Sequence, residues 1–370
     1  LKNSLSALTA IALLTGCAGG VQSSMTPQQS PQGPAAIARD LSGIPLYHAA
    51  MQESVYRNAV LHSSTAGIHW PPLGAAQAKH QPVIYLGDDS GYIWIVDKTG
   101  KTVLGDFTDC AGAEGLAVDK SGDLWAACTN SSTINEYKPG ATSASLVLAD
   151  TVNGIPYYPG AVTVDGKGNV YVSNLYGLGG SPQTQYPGNV AYWKASDICS
   201  NCDPSGVATE PNLGSTAEVY FIASDPKGDV FITYDANDGA GLDEIVDPQS
   251  TSDTVTTIVA PSSGTLAFPA GVAISEKGKY LNALNTITGD ILRWSLPTLK
   301  QEKSLGPLPQ NNTNSCIGTG INFAKGDKTI GAATTCGLAL GKVASNKFTD
   351  YPNIDYQMLV GVAFDPSDGY

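Results

Sequence analysis

A chain of 370 residues with 41 glycines, 23 prolines and only 14% charged side chains suits many short strands joined by turns, and disfavours long helices. Its formal net charge of −13 repels polyanions over most of the surface and argues against nucleic-acid binding.

Lys2 and the apolar run Leu5–Leu14 form a short positive region followed by about ten hydrophobic residues, too few to span a bilayer as a mature helix. The run leads into Leu14-Thr15-Gly16-Cys17, which resembles the lipobox of bacterial lipoproteins. The resemblance implies that residues 1–17 contain a lipoprotein signal peptide with its lipobox, that cleavage precedes Cys17, and that lipid on Cys17 anchors the protein to a membrane of the cell envelope. Ala18 is not an Asp-type retention signal, which favours an outer membrane where the source has one. The plainer alternative is a buried helix ending in a chance cysteine, although an uncapped helix of this length stands poorly alone.

Residues 18–36 are rich in Gln, Ser, Pro and Gly and read as a flexible tether. Residues 37–80 form an N-terminal extension expected to pack on the larger domain that begins at residue 81. A short amphipathic helix is predicted over Tyr47–Val60, and Trp70-Pro71-Pro72 breaks any continuation. His48, His62, His69 and His80 all lie here, and no pair has the i, i+4 spacing of a helical metal site. They read as surface or packing residues.

From residue 81 the chain is repetitive. Gly115–Ala127 (GLAVDKSGDLWAA) reads as strand, tight turn, strand: Leu116 and Val118 alternate with small residues, Asp119 and Gly122 supply turn chemistry, and Leu124 and Trp125 open the partner strand. Variants begin at Ala161, Phe221, Gly271, Gly320 and Gly361, at spacings of 46, 60, 50, 49 and 41 residues. A period of roughly 40–50 residues with several strands per repeat marks propeller blades. The blades are predicted at 83–107, 114–150, 160–198, 219–260, 270–305 and 319–349, the third with an insertion, GLGGSPQTQYPG. The first lacks a leading strand and Gly361–Asp365 is a leading strand with no blade after it, so the two are expected to pair and close the ring.

The GLAVD-KSGDLWAA wording resembles NHL repeats and the related propellers of the SMP-30/gluconolactonase type, over roughly 290 residues on the basis of one supersecondary unit per repeat. The lactonases of that type hold a divalent metal at the tunnel mouth, with ligands just before or near the start of the first strand of several blades. The residues preceding that strand here are Val360, Glu114, Gly160, Tyr220, Ala270 and Thr319. Glu114-Gly115 resembles the family's Glu-Gly ligand motif. The other five positions offer neither carboxylate nor amide, whereas a hard cation takes six or more oxygens. Glu114 read plainly is a tunnel-lining carboxylate satisfied by backbone N–H groups or water.

Setting Cys17 aside leaves six cysteines, an even number in an exported protein. Cys110 with Cys128, and Cys316 with Cys336, sit at equivalent places in two blades and are expected to bridge. Cys199 and Cys202 form a C-x-x-C that reads as a small structural disulfide, with a structural zinc as the alternative.

Asp235, Asn237, Asp238 and Gly239 lack the register of a calcium loop and read as hairpin-turn chemistry. Aromatic residues gather around blade three: Tyr157, Tyr158, Tyr171, Tyr176, Tyr186, Tyr192 and Trp193. They suit an interface or sugar stacking, and equally packing between sheets.

The sequence therefore predicts an all-β, six-bladed β-propeller over 81–370, closed by pairing of the C-terminal strand with the first blade. Its expected role is that of a lipid-anchored, extracytoplasmic binding or scaffold module for a protein, peptide or glycan, needing no cofactor. Glu114, Tyr158, Tyr220, Thr319 and Trp193 are the candidate binding residues. The alternative is a metal-dependent lactonase, hydrolase or lyase of the SMP-30 type.

Overall fold

The computed structural model describes residues 82–366, apart from 181–183, 209–212, 214–216, 237–238, 267–269, 276, 287, 310–317, 335–336 and 352–358. The described residues fall within one compact unit, Met51–Tyr370. Cys17, the tether, the helix expected over Tyr47–Val60, all four histidines, Cys316 and Cys336 lie outside the described residues.

The turn within each repeat explains why the strands fall where they do. Asp119 Oδ1 accepts the backbone N–H groups of Ser121 (2.8 Å) and Asp123 (3.0 Å). Asp165 does the same for Lys167 and Asn169, and Asp225 for Lys227, Gly228 and Asp229. A carboxylate satisfying its own downstream backbone stabilises the reversal, and Gly122 takes the positive φ (+86°) that the turn needs.

These hairpins build six antiparallel sheets. In the first, Leu359–Phe364 lies innermost, followed by Val83–Asp88, Tyr92–Asp97 and Val103–Phe107. The next contains Ala113–Val118, Leu124–Cys128, Thr133–Tyr137 and Leu146–Ala149. The fourth runs from Glu218–Ser224 to Thr254–Val259, the fifth from Val272–Ile274 to Lys300–Leu305, and the sixth from Gly318–Phe323 to Lys347–Tyr351. The innermost strands neighbour one another in a closed ring around a channel of about 200 Å³. The architecture is an all-β, six-bladed propeller.

Closure occurs as expected. Ile84 pairs with Phe364 and Gly87 with Gly361, and Asp365 N–H donates to Val83 C=O at 3.0 Å. All residues of both strands are buried. Val83 and Tyr85 pack with Leu116 and Leu124 of blade two, whereas Ile84 and Leu86 pack with Ala333 and Leu338 of blade six. A strand buried on both faces reads as a continuous apolar run, as Val83–Leu86 does.

Blade three is larger than its expected span of 160–198. It begins at Thr151–Val152, continues through Ile155–Val164, Val170–Gly179 and Thr184–Trp193, and ends with Gly206–Val207 as its outermost strand. The inserted GLGGSPQTQYPG is largely strand: Tyr176, Gly177, Leu178 and Gly179 pair with Pro187, Tyr186, Gln185 and Thr184. Glycine and proline dominate the insertion, a composition that disfavours strand. Backbone pairing and the stacked tyrosines of the blade override that composition.

Candidate functional site

Glu114, Tyr220 and Thr319 each lie at the start of an innermost strand, and therefore near one end of the channel. A bulge in blade three, where Asn174 pairs with Pro159 and Tyr176 with Tyr158, re-aims its inner strand at this end. The rings of Tyr158 and Tyr176 stack there with centroids 4.7 Å apart, and both residues are partly exposed. The Tyr220 hydroxyl donates to Glu218 Oε2 at 2.5 Å, and Glu218 is buried.

Glu114 retains some solvent contact, yet protein crowds it from most directions. Burial pushes its carboxyl well above the usual range. The Asp89 carboxylate adds to this, the Thr129 hydroxyl opposes it, and Glu218 adds again. Thr129 also donates to the Pro159 carbonyl at 2.6 Å, tying blade two to the bulge of blade three. The Tyr176 phenol is likewise raised, by burial first, then by Tyr158, Glu218 and Glu114. Residues of four blades thus share one electrostatic neighbourhood: Asp89 of blade one, Glu114 and Thr129 of blade two, Tyr158 and Tyr176 of blade three, Glu218 and Tyr220 of blade four.

Two candidates are placed differently. Trp193 is wholly buried between blades two and three, packed with Trp125, Leu148 and Val170, and its indole N–H donates to Cys202 C=O at 3.0 Å. Its ring is a core element and does not reach the mouth surface. The Thr319 hydroxyl is within hydrogen-bond distance of the carbonyls of Ala333 (3.0 Å) and Leu359 (2.8 Å), so it laces blade six to the closing strand. Glu218 was not singled out from the sequence; it stands two residues before Tyr220, at a break in the strand register, and accepts the Tyr220 hydroxyl's hydrogen bond.

The arrangement offers flat aromatic faces beside acidic groups. Such faces stack on sugar rings or hold cations, and the carboxyl groups accept hydrogen bonds from hydroxyls or ammonium groups. Among the described residues, no group of three or more His, Cys, Asp or Glu side chains is arranged to hold a metal ion.

Two disulfides frame the region. Cys110–Cys128 joins the segment before the innermost strand of blade two to the end of its partner strand, with Cα atoms 4.9 Å apart. Cys199–Cys202 closes a turn that docks on blade two, where Asn201 N–H donates to Val147 C=O at 2.7 Å.

No protein-family model matches this sequence, and no curated protein matches it. Among solved structures, a chain of a nidogen/laminin complex is similar at TM-score 0.57 with 13% identity, covering 77% of this chain and 98% of that one. A luciferin-regenerating enzyme is similar at TM-score 0.48 with 12% identity, covering 76% and 83%. At this identity the likeness to the nidogen/laminin chain is one of fold, and it agrees with the ring of blades: the chain is a β-propeller.

Proposed function

We propose that this propeller is a binding module of the bacterial cell envelope, lipid-anchored through Cys17, which takes a protein, peptide or glycan segment at the channel mouth beside blade three. The carrying observation is the stacked Tyr158–Tyr176 pair set against Glu114, Glu218 and Asp89. Stacked, partly exposed rings supply contact area at low conformational cost, and the acidic groups favour hydroxyl-rich or basic segments. The net charge of −13 points the same way. The similar chain comes from a protein–protein complex, which agrees with a binding role without specifying the partner. The NHL-type wording of the repeats belongs to this reading as well.

Photo-crosslinking in cells tests it. A photoreactive residue in place of Tyr158 is expected to capture a discrete partner, whereas one in place of Glu302, on an exposed outer strand, is not. Equal labelling at both positions, or lactone hydrolysis dependent on a bound divalent ion, overturns the reading.

A further inference from the structure

Asp150 leaves the outer strand of blade two, and Asn174 lies in the strand Val170–Gly179 of blade three. Both are fully buried. The backbone of Asp150 is held from both sides, its N–H donating to Ser132 C=O (2.9 Å) and its C=O accepting from Tyr157 N–H (2.9 Å). Asn174 Nδ2 donates to Asn189 Oδ1 at 2.9 Å and, more distantly, to Asp150 Oδ1 at 3.4 Å.

That leaves one oxygen on each group. Asp150 Oδ2 and Asn174 Oδ1 are both buried and both without a hydrogen-bond partner. An ionised carboxylate and an amide oxygen are acceptors only, so neither can satisfy the other. Buried polar groups are nearly always paired, and two orphans on adjoining side chains call for a common explanation.

We propose that a single proton closes this pair: Asp150 is held as the carboxylic acid, its Oδ2–H donating to Asn174 Oδ1 while Asn174 Nδ2–H donates back to Asp150 Oδ1, and the cyclic acid–amide pair is a pH-sensitive clasp between blades two and three. The proton comes from solvent and returns to it, and no other bond changes.

The surroundings favour the neutral acid. Burial is the main influence and pushes the Asp150 carboxyl up to about 7; hydrogen bonding to Asn174 opposes the shift, and the Asp203 carboxylate adds to it. The Tyr157 phenol faces the same cluster and is itself raised, by burial first, with Asn189 opposing and Asp150 and Tyr186 adding. Among the described residues, no lysine, arginine or histidine is among the groups acting on Asp150. The clasp also adjoins the mouth, because Asn174 pairs with Pro159, next to Tyr158, and Tyr157 is bonded to Asp150. Opening it loosens the support of the stacked tyrosines, so affinity at the mouth should fall as pH rises. That last consequence rests on the binding reading; the clasp itself does not.

Asp150→Asn separates these possibilities, since its amide supplies an N–H in place of the acid O–H and mimics the closed clasp at every pH. Because the folded-state carboxyl titrates above its unfolded value of about 3.9, the native state keeps a proton that the unfolded chain releases, and wild-type stability from this group declines between about pH 4 and pH 7. The wild-type melting temperature, measured relative to that of Asp150→Asn, is therefore expected to fall by several degrees between about pH 5 and pH 8 and then level off. Parallel pH profiles, a variant that melts below wild type at about pH 8, or a variant that does not fold overturns the proposal. An infrared titration provides a second readout. In a Glu114→Gln background, a protonated-carboxyl band should persist at about pH 6 and vanish above about pH 8; its absence at the lower pH contradicts the clasp.

Discussion

Gly361 of the closing strand packs against the carbonyl oxygen of Glu114 in blade two, with no room for a side-chain carbon between them. The same crowding recurs where Gly320 meets Val360 and Gly115 meets Ala161, so the leading glycine of the repeat is where one inner strand rests on the next. Gly361→Ala should cost about 1–3 kcal/mol, as expected for overpacking, and lower the denaturant midpoint. Truncation after Asp355 should do more. It removes Leu359–Phe364 and opens the buried edge of Val83–Asp88, giving an aggregating or protease-sensitive protein. A truncated chain that melts and elutes like the full-length one would mean that closure is dispensable.

The two observed disulfides should differ in worth. Cys110–Cys128 closes a span of 18 residues, and chain entropy gives about 3 kcal/mol; Cys199–Cys202, with a separation of 3, gives about 2 kcal/mol at most. Cys110→Ala/Cys128→Ala should therefore lower stability more than Cys199→Ala/Cys202→Ala in non-reducing denaturation. Peptide mapping also tests the expected Cys316–Cys336 bridge, and free thiols at both positions would remove it.

Glu114 makes a prediction with a sign. Its folded-state carboxyl is raised by burial, by Asp89 and by Glu218, so it favours folding at low pH and that contribution is lost as pH rises through the raised value. Glu114→Gln should raise the melting temperature at alkaline pH and leave it nearly unchanged near pH 4. Stabilisation of equal size at both ends of the range would show that the charge of Glu114 is not the cause.

Much of the fold was legible because the repeats combine mutually consistent signals. These are an alternating apolar strand and a side-chain-capped reversal, by Asp in Asp119–Asp123 and by Ser275 in blade five. The expanded third blade was not, since a Gly- and Pro-rich insertion disfavours strand by its composition. The mouth was legible in part. Glu114 and Tyr220 could be found from their place before a strand, and Tyr158 from the aromatic cluster. Thr319 shared the position of the first two, yet its hydroxyl turns to backbone carbonyls, and Trp193 shared the composition of the cluster while lying in the core. Asp89, Thr129 and Glu218 come from three blades, and only the closed ring brings them beside Glu114.

Anchoring is open to a direct check. On the proposed lipid anchoring, wild type should pellet with membranes and Cys17→Ser should stay soluble or unprocessed, because the acyl chains would supply the attachment. Equal membrane recovery of the variant after an alkaline carbonate wash would contradict lipid anchoring at Cys17.

The central claim is that the channel mouth binds a partner through its stacked tyrosines. The most direct measurement is binding to peptide and glycan arrays by wild type, by Tyr158→Ala/Tyr176→Ala, and by Lys300→Ala on an exposed outer strand. The account predicts that wild type and Lys300→Ala share a set of ligands, and that the double variant loses at least about tenfold in affinity, or about 1.4 kcal/mol, while keeping its fold. Ligands bound equally well by the double variant would contradict it.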